Sequence, residues 1–331
     1  MMSSSDNKSN KYQYIYIAGH GHSGSTLLEM TLGNHPDIFA MGEIEKLSLQ
    51  FARDDTSKYP GLCSCGKRPF HCNVWKNVID DISNHYKINI KNNPFLFRVS
   101  DVGLEEDYGY KAITHWLIRN YYRLTRYICY SNFPLLQNAS FLSLNNEHKW
   151  TEHRFFVANS LINITKTKAV VDSSKDYIGM RDLYQKNKDI MKIIFLTRDP
   201  RANAWSYVKE GLDPIESTKR WVTVNFRIKK FLEKIPRNNW FYLRYEDFCT
   251  DPAKTSQQLC NFLKYDYSPE MISFSKQLHT IGGNKIRYTH ISTIKQDVSW
   301  KQSLPIEAAS KINKLFGKEI SLLGYNISKD L

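Results

Sequence analysis

Apolar residues follow two alternating rhythms along the 331-residue chain. Short β-branched and aromatic runs stand at 12–18 (YQYIYIA), 168–172 (KAVVD), 191–197 (MKIIFLT) and 240–244, with a shorter one at 36–42. Each predicts a strand. Between them, apolar positions recur at helical spacing: a short helix ending at Gly33, then 176–187, 201–210, a long amphipathic stretch at 215–235, 254–264 and 306–323. Residues from about 106 to 130 carry aromatic and apolar side chains at the same spacing, Trp116, Tyr121, Tyr122, Tyr127 and Tyr130 among them. The stretch 51–75, with Pro, Gly and three cysteines, reads as loop. Strands alternating with helices predict an α/β fold: a central parallel sheet covered by helices on both faces, a three-layer sandwich. No repeat or low-complexity linker divides the chain. The simplest parse is a disordered polar segment 1–11, then one domain over 12–330 with a variable helical insertion at about 45–165.

Composition narrows the class. Hydrophobic residues are 41% and charged residues 24%, which excludes a disordered or fibrous chain. No run of about 18 apolar residues occurs, so no membrane span is expected. The opening MMSSSDNKSNK lacks the apolar centre of a signal peptide, and cytoplasmic residence is the expectation. Asn138-Ala139-Ser140 would matter as a glycan acceptor only in a secretory lumen. Six cysteines in a chain of this length are not a disulfide framework. The net charge of +13 suits an anionic partner, but the basic residues are spread over the whole chain. Without a dense Lys/Arg run or a known module, nucleic acid is not the expected partner.

The strongest local feature is Gly19-His20-Gly21-His22-Ser23-Gly24-Ser25-Thr26-Leu27-Leu28, between a predicted strand and a predicted helix. Backbone N–H groups at such a helix start can cradle an anion. Gly19 and Gly24 have the spacing of the GxxxxGK[ST] phosphate loop, but Ser25 stands where that loop has lysine. The loop is therefore P-loop-like, and a nucleoside-triphosphate kinase is disfavoured. The strand 191–197 ends in Thr197-Arg198-Asp199-Pro200-Arg201, with Ser206 two helical turns on. Arg198 thus sits at a strand's carboxyl end, where open α/β sheets bind ligands, and an arginine fork with a hydroxyl suits a phosphate monoester.

In these motifs the chain resembles sulfotransferases that use 3′-phosphoadenosine 5′-phosphosulfate. Gly19–Leu27 is similar to the family's GxxRSG[ST][ST]L loop, and Arg198–Ser206 to its RxPRxxxxS segment. Asp172-Ser173-Ser174-Lys175, Leu243-Arg244-Tyr245-Glu246-Asp247-Phe248 and His279 through Arg287 add to the likeness, which spans 12–50 and 168–330. His35 through Glu43 is similar to the HPxxxxxGE stretch of the tyrosylprotein and carbohydrate branches. The resemblance implies that Gly21, His22, Ser23, Gly24, Ser25, Thr26 and Leu27 hold the 5′-phosphosulfate and that Arg198 and Ser206 hold the 3′-phosphate. It places Tyr245 near the adenine, has Asn284 and Arg287 close over the nucleotide with Trp300 and Lys301 in the same lid, and leaves Glu246 and Asp247 structural.

The catalytic residues implied are Glu43, His22 and Lys175. Glu43 is the expected base, with its pKa raised by a closed cleft, and Asp172 competes for that role. His22 replaces the family's usual Arg or Lys and would donate only when protonated. Lys175 would meet charge building on the leaving phosphate. The chemistry requires no metal in principle. Cys63, Cys65, His71 and Cys72 could together hold zinc, but the Cys-x-Cys spacing is tight and no second ligand pair lies downstream, so a structural loop is the expectation and no metal site is assigned. The acceptor is expected to be a small metabolite or carbohydrate, with secondary-metabolite tailoring as one setting, and its specificity should come from the insertion. Homo-oligomerisation stays open. The alternatives are a P-loop nucleotide kinase and a nucleotide-binding module without catalysis.

Overall fold

The strands are covered on both faces, so their apolar runs are nearly continuous. In the computed structural model, which describes residues 12–53, 61–100, 141–289 and 293–326, β1 (Gln13–Ala18) leads into α1 (Ser25–Gly33). Then come β2 (Ile38–Gly42), α2 (Leu47–Ala52), α3 (Trp75–Tyr86), α4 (Phe141–Thr165), β3 (Ala169–Asp172), α5 (Tyr177–Lys186), β4 (Met191–Thr197) and α6 (Pro200–Val208). The chain continues through α7 (Pro214–Leu232), β5 (Trp240–Arg244), α8 (Tyr245–Thr250), α9 (Pro252–Leu263), α10 (Glu270–Ser273), α11 (Trp300–Ser303) and α12 (Ile306–Leu322). The polar segment 1–11, the helical stretch at 106–130 with its aromatic residues, and Asn138–Ser140 lie outside the described residues.

All five strands are parallel, in the order β2-β3-β1-β4-β5. Alternate residues of β1 face opposite layers. Tyr14, Tyr16 and Ala18 pack with residues of α3, α4, α5, α7 and α12, while Ile15 and Ile17 pack with those of α1, α8 and α9. This is the three-layer α/β architecture that the alternation predicts. Three helices start on an Asp-Pro pair: Asp199, Asp213 and Asp251 each accept a backbone N–H of the turn they cap, and the following proline fills the first helical position.

The predicted loop at 51–75 contains the last residues of α2, a 3₁₀ turn at Pro69–His71 and the start of α3. Trp75, Val78 and Val157, from the 45–165 stretch, are fully buried in the same core as Tyr14 and Met41 of the sheet. Strand order reverses about β1, whose neighbours are β3 on one side and β4 on the other. The loops leaving β1 and β4 therefore part at their carboxyl ends and open the crevice in which such sheets bind ligands.

Candidate functional site

The loop after β1 is shaped by glycines and tied down from outside. Gly24 caps α1 at φ 88° and supplies no side-chain cap, so the first-turn N–H groups of Ser25, Thr26 and Leu27 have no intrahelical acceptor. A Cβ at Gly24 would stand 2.4 Å from the Tyr245 ring, so both the turn and the approach of that ring require glycine. Ser23 Oγ donates to the His20 carbonyl at 2.6 Å. Asn203 of α6 clamps the loop, its amide donating to the Gly21 carbonyl at 2.5 Å and its oxygen lying 3.1 Å from His20 Nδ1. Burial lowers the His20 pKa to about 4, so that ring is neutral.

His22 itself is left-handed, at φ 58°. Its ring lies edge-on to Tyr207, with Nε2 3.2 Å from a Glu210 carboxylate oxygen. Burial lowers its pKa, while Glu210 pulls the other way. The ring is thus directed at the end of α6, and it is the His22 carbonyl that faces Arg198, accepting from Nη1 at 3.3 Å.

Arg198 joins the two loops at the switch point. Its guanidinium lies 4.7 Å from the centre of the Tyr245 ring and pairs with Asp297 at 3.1 Å. Its buried Nε has no hydrogen-bond partner among the described residues. Ser206 is buried on α6 and donates to the Ala202 carbonyl one turn earlier at 3.2 Å. Tyr245 therefore meets the loop and Arg198 with its ring, and its hydroxyl accepts from the Asp297 N–H at 3.3 Å. Trp300 is 96% buried in the core under Arg201, a packing role.

Glu43 follows β2 directly and is 4% exposed, ion-paired to both Lys175 and Lys46. Burial alone would raise its pKa, but the two ammonium groups hold it at about 2. The expected upward shift is thus reversed, because the cleft that buries the carboxylate also presents two cations to it. Asp172 is fully buried and engaged, accepting from the Tyr14 hydroxyl at 2.7 Å and the Ser174 N–H at 2.8 Å.

A strap at 278–284 brings Glu43 to the loop. Ile281 bridges β2 in parallel at Gly42, its N–H donating to the Met41 carbonyl at 3.1 Å and its carbonyl accepting from the Glu43 N–H at 2.9 Å. A Cβ at Gly283 would lie 3.4 Å from Thr26 Oγ1 and 4.0 Å from Glu43 Cγ. The Asn284 N–H donates to Thr26 Oγ1 at 3.3 Å, while its side chain caps the 3₁₀ turn Lys285–Tyr288. Arg287, in that turn, bonds the Leu62 carbonyl at 3.1 Å and the Tyr288 hydroxyl, and its buried Nε and Nη1 have no partner among the described residues.

Three groups escape the sequence reading. Glu29, inside the apolar run of α1, is fully buried and accepts from the Gly42 N–H and, at 2.7 Å, from Ser173 Oγ. Burial raises its pKa to about 8. It therefore braces the starts of the Glu43 and Lys175 segments from beneath. Asp297 reaches Arg198 from 99 residues away. At the cysteine turn, His71 is exposed on the surface, and His279 stands with Cys63, Cys65 and Cys72 instead. The imidazole beside the three thiols thus comes from the strap and not from the turn itself.

The arrangement defines an α/β protein in which an uncapped helix start and Arg198 meet at a switch point, with the Glu43–Lys175 pair beside the strap. Residues 147–269 match the model of the Sulfotransferase family, which agrees with the resemblance carried by the motifs. Carbohydrate sulfotransferase 3 of Tetronarce californica is 24% identical over 174 residues, 46% of this chain. Carbohydrate sulfotransferase 4 of Mus musculus is 24% identical over 127 residues, 36% of this chain. The matches span 40% and 32% of those two proteins. Among solved structures, the sulfotransferase domain from the curacin biosynthetic pathway is 16% identical at a TM-score of 0.48, with 92% of this chain and 98% of that one covered. Among the described residues, no helix is long and apolar enough to cross a membrane.

Proposed function

We propose that the protein is a sulfotransferase that moves the sulfuryl group of 3′-phosphoadenosine 5′-phosphosulfate to a hydroxyl or amine of a small metabolite or carbohydrate. One observation carries this reading. At the switch point, a helix start with free N–H donors meets a buried arginine with an unpartnered N–H, and a carboxylate–lysine pair stands across the strap from them. The residues suit an adenosine bisphosphate: Gly21 to Leu27 would hold the 5′ side, and Arg198 with Ser206 the 3′-phosphate. Tyr245, Asn284 and Arg287 would flank the nucleotide. The donor, when bound, supplies an already activated sulfuryl group.

The protein's own work is then positioning and proton handling. Lys175 would stabilise negative charge on the leaving side, and His22 would join it only with its ring protonated and turned away from Glu210. Glu43 would hold the acceptor's proton. With both lysines on it, Glu43 is a weak base. As Lys175 turns toward the leaving phosphate, one cation withdraws from Glu43 and its proton affinity rises. The pair thus couples donor binding to the readiness of the base. Lys46 remains to orient the carboxylate. Ser25, in place of a phosphate-loop lysine, opposes the kinase alternative. The test is incubation with the sulfate donor and a panel of alcohols, amines and sugars, read by mass spectrometry. A sulfate mass increment on an acceptor is expected. Transfer of phosphate from ATP instead, or no binding of 3′,5′-phosphoadenosine, would overturn the proposal.

A further inference from the structure

We infer that Cys63, Cys65, Cys72 and His279 form a tetrahedral zinc site that fastens the strap to the cysteine turn. The four candidate ligand atoms all lie within 4.8 Å of one another. Cys63 and Cys72 Sγ are 3.7 Å apart, and His279 Nδ1 stands 3.2 Å from Cys72 Sγ and 3.8 Å from Cys63 Sγ. A tetrahedron with metal–sulfur bonds of about 2.3 Å has sulfur–sulfur edges of about 3.8 Å, and with metal–nitrogen bonds of about 2.0 Å its sulfur–nitrogen edges are about 3.5 Å. The Cys63–Cys72 separation matches the sulfur edge, and the two separations from His279 lie on either side of the sulfur–nitrogen edge. A sulfur–sulfur distance of 3.7 Å is far beyond a disulfide bond, and none of the five described cysteines is bridged.

The surroundings are built for thiolates. The backbone N–H of Cys65 is directed at the Cys63 sulfur, and those of Val74 and Trp75 at the Cys72 sulfur. Such bonds disperse thiolate charge and fix ligand orientation. Cys63 and Cys72 are fully buried. Trp75 Nε1 donates to the His279 carbonyl at 2.6 Å. The two segments are also stitched together. Ser64 N–H donates to the Thr280 carbonyl at 2.9 Å, Thr280 N–H to Ser64 Oγ at 2.9 Å, and Ser64 Oγ to the Leu278 carbonyl at 2.7 Å. Three soft thiol ligands with one imidazole favour zinc over calcium or magnesium, which take oxygen.

None of the site's four residues is assigned to the donor or the acceptor, and its role is mechanical. His279 is two residues before Ile281, whose pairing with Gly42 sets the strap against Glu43. Zinc would hold that segment in register without touching the reacting atoms.

The experiment uses the full chain, purified reduced and without chelator. Elemental analysis should give about one zinc per chain, since a preformed thiolate site binds tightly. Exchange with cobalt(II) should produce the intense visible bands of a tetrahedral thiolate complex. His279→Ala should drop zinc to background, whereas His71→Ala should retain it. Chelation should lower the melting temperature and speed hydrogen exchange at the Ile281 amide, and added zinc should reverse both. If the His279 variant does not fold, the cobalt spectrum of the native chain still decides. Metal-free protein with free thiols and no tetrahedral cobalt spectrum, a Cys63–Cys72 disulfide in the peptide map, or loss of zinc on His71→Ala would each overturn the inference. None of these readouts depends on sulfuryl transfer, so this site and the proposed activity stand or fall separately.

Discussion

Glu29→Gln tests the brace beneath the site. The Glu29 pKa is raised from 4.5 to about 8 by burial, with Ser173 and Gly42 donating to it and opposing the rise. A carboxyl raised on folding contributes its full stability below the unfolded pKa, and that stability is lost as pH climbs through the folded value. The window therefore runs from about 4.5 to about 8. At pH 7.5 the unfolded chain is ionised at this position and the folded chain is mostly not. The difference amounts to about 4 kcal/mol, at 1.36 kcal/mol per pH unit over roughly three units. Glutamine mimics the protonated acid: its oxygen accepts from the Gly42 N–H, and its amide donates to Ser173 Oγ. The variant should match wild type near pH 5 and exceed it increasingly toward pH 8, by about 4 kcal/mol at pH 7.5. Urea unfolding from pH 5 to pH 8, followed by circular dichroism, measures both curves. Parallel curves across that range would refute the reasoning, because they would mean that Glu29 titrates alike in both states.

Thermal shift with 3′,5′-phosphoadenosine should exceed that with adenosine 5′-phosphate, and Arg198→Ala should erase the difference; equal shifts in the wild type would remove Arg198 and Ser206 from the 3′-phosphate site. Glu43→Gln should lower kcat by about 10²–10⁴ and, by releasing Lys175 from its ion pair, leave donor affinity undiminished or tighter, while Lys175→Ala should impair both, as steady-state kinetics on an identified acceptor would show. Gly42→Ala should displace the strap, since its Cβ would lie 1.8 Å from the Ile281 carbonyl oxygen at φ 92°. A loss of about 2–4 kcal/mol in chemical denaturation is expected, and an unchanged midpoint would contradict the Gly42–Ile281 pairing.

The five strands were legible because each is a short apolar run whose both faces are covered, and α7, α9 and α12 because their apolar positions recur at helical spacing. The turn between β1 and α1 was legible because glycine spacing fixes backbone shape locally. What stayed hidden depends on contacts distant in sequence. Nothing near Cys72 points to His279, 207 residues on, whereas His71 is adjacent and misleading. Glu29 sits in the run LLEMTLG, where a single acid reads as the polar edge of a helix, yet the helix is buried all round. The sign of the Glu43 shift depended on Lys46 and Lys175 converging on it, and only the fold brings Lys175 there. α8 follows β5 without a connecting residue, so no turn signal marks it.

The strap that walls Glu43 also has a bearing on solubility. β2 is an edge strand, and its sequence, Ile-Phe-Ala-Met-Gly, is apolar and uncharged. An open edge of that kind offers itself as a template for a strand of another chain. Here two of its carbonyls are engaged from outside the sheet: Ile38's accepts from Lys276 Nζ at 3.4 Å and Met41's from the Ile281 N–H at 3.1 Å. The lysine also places a positive charge at the start of the edge, which disfavours edge-to-edge growth. Loosening the strap would therefore uncover a sticky strand as well as the carboxylate, and a lesion there would show itself as precipitation alongside any loss of turnover.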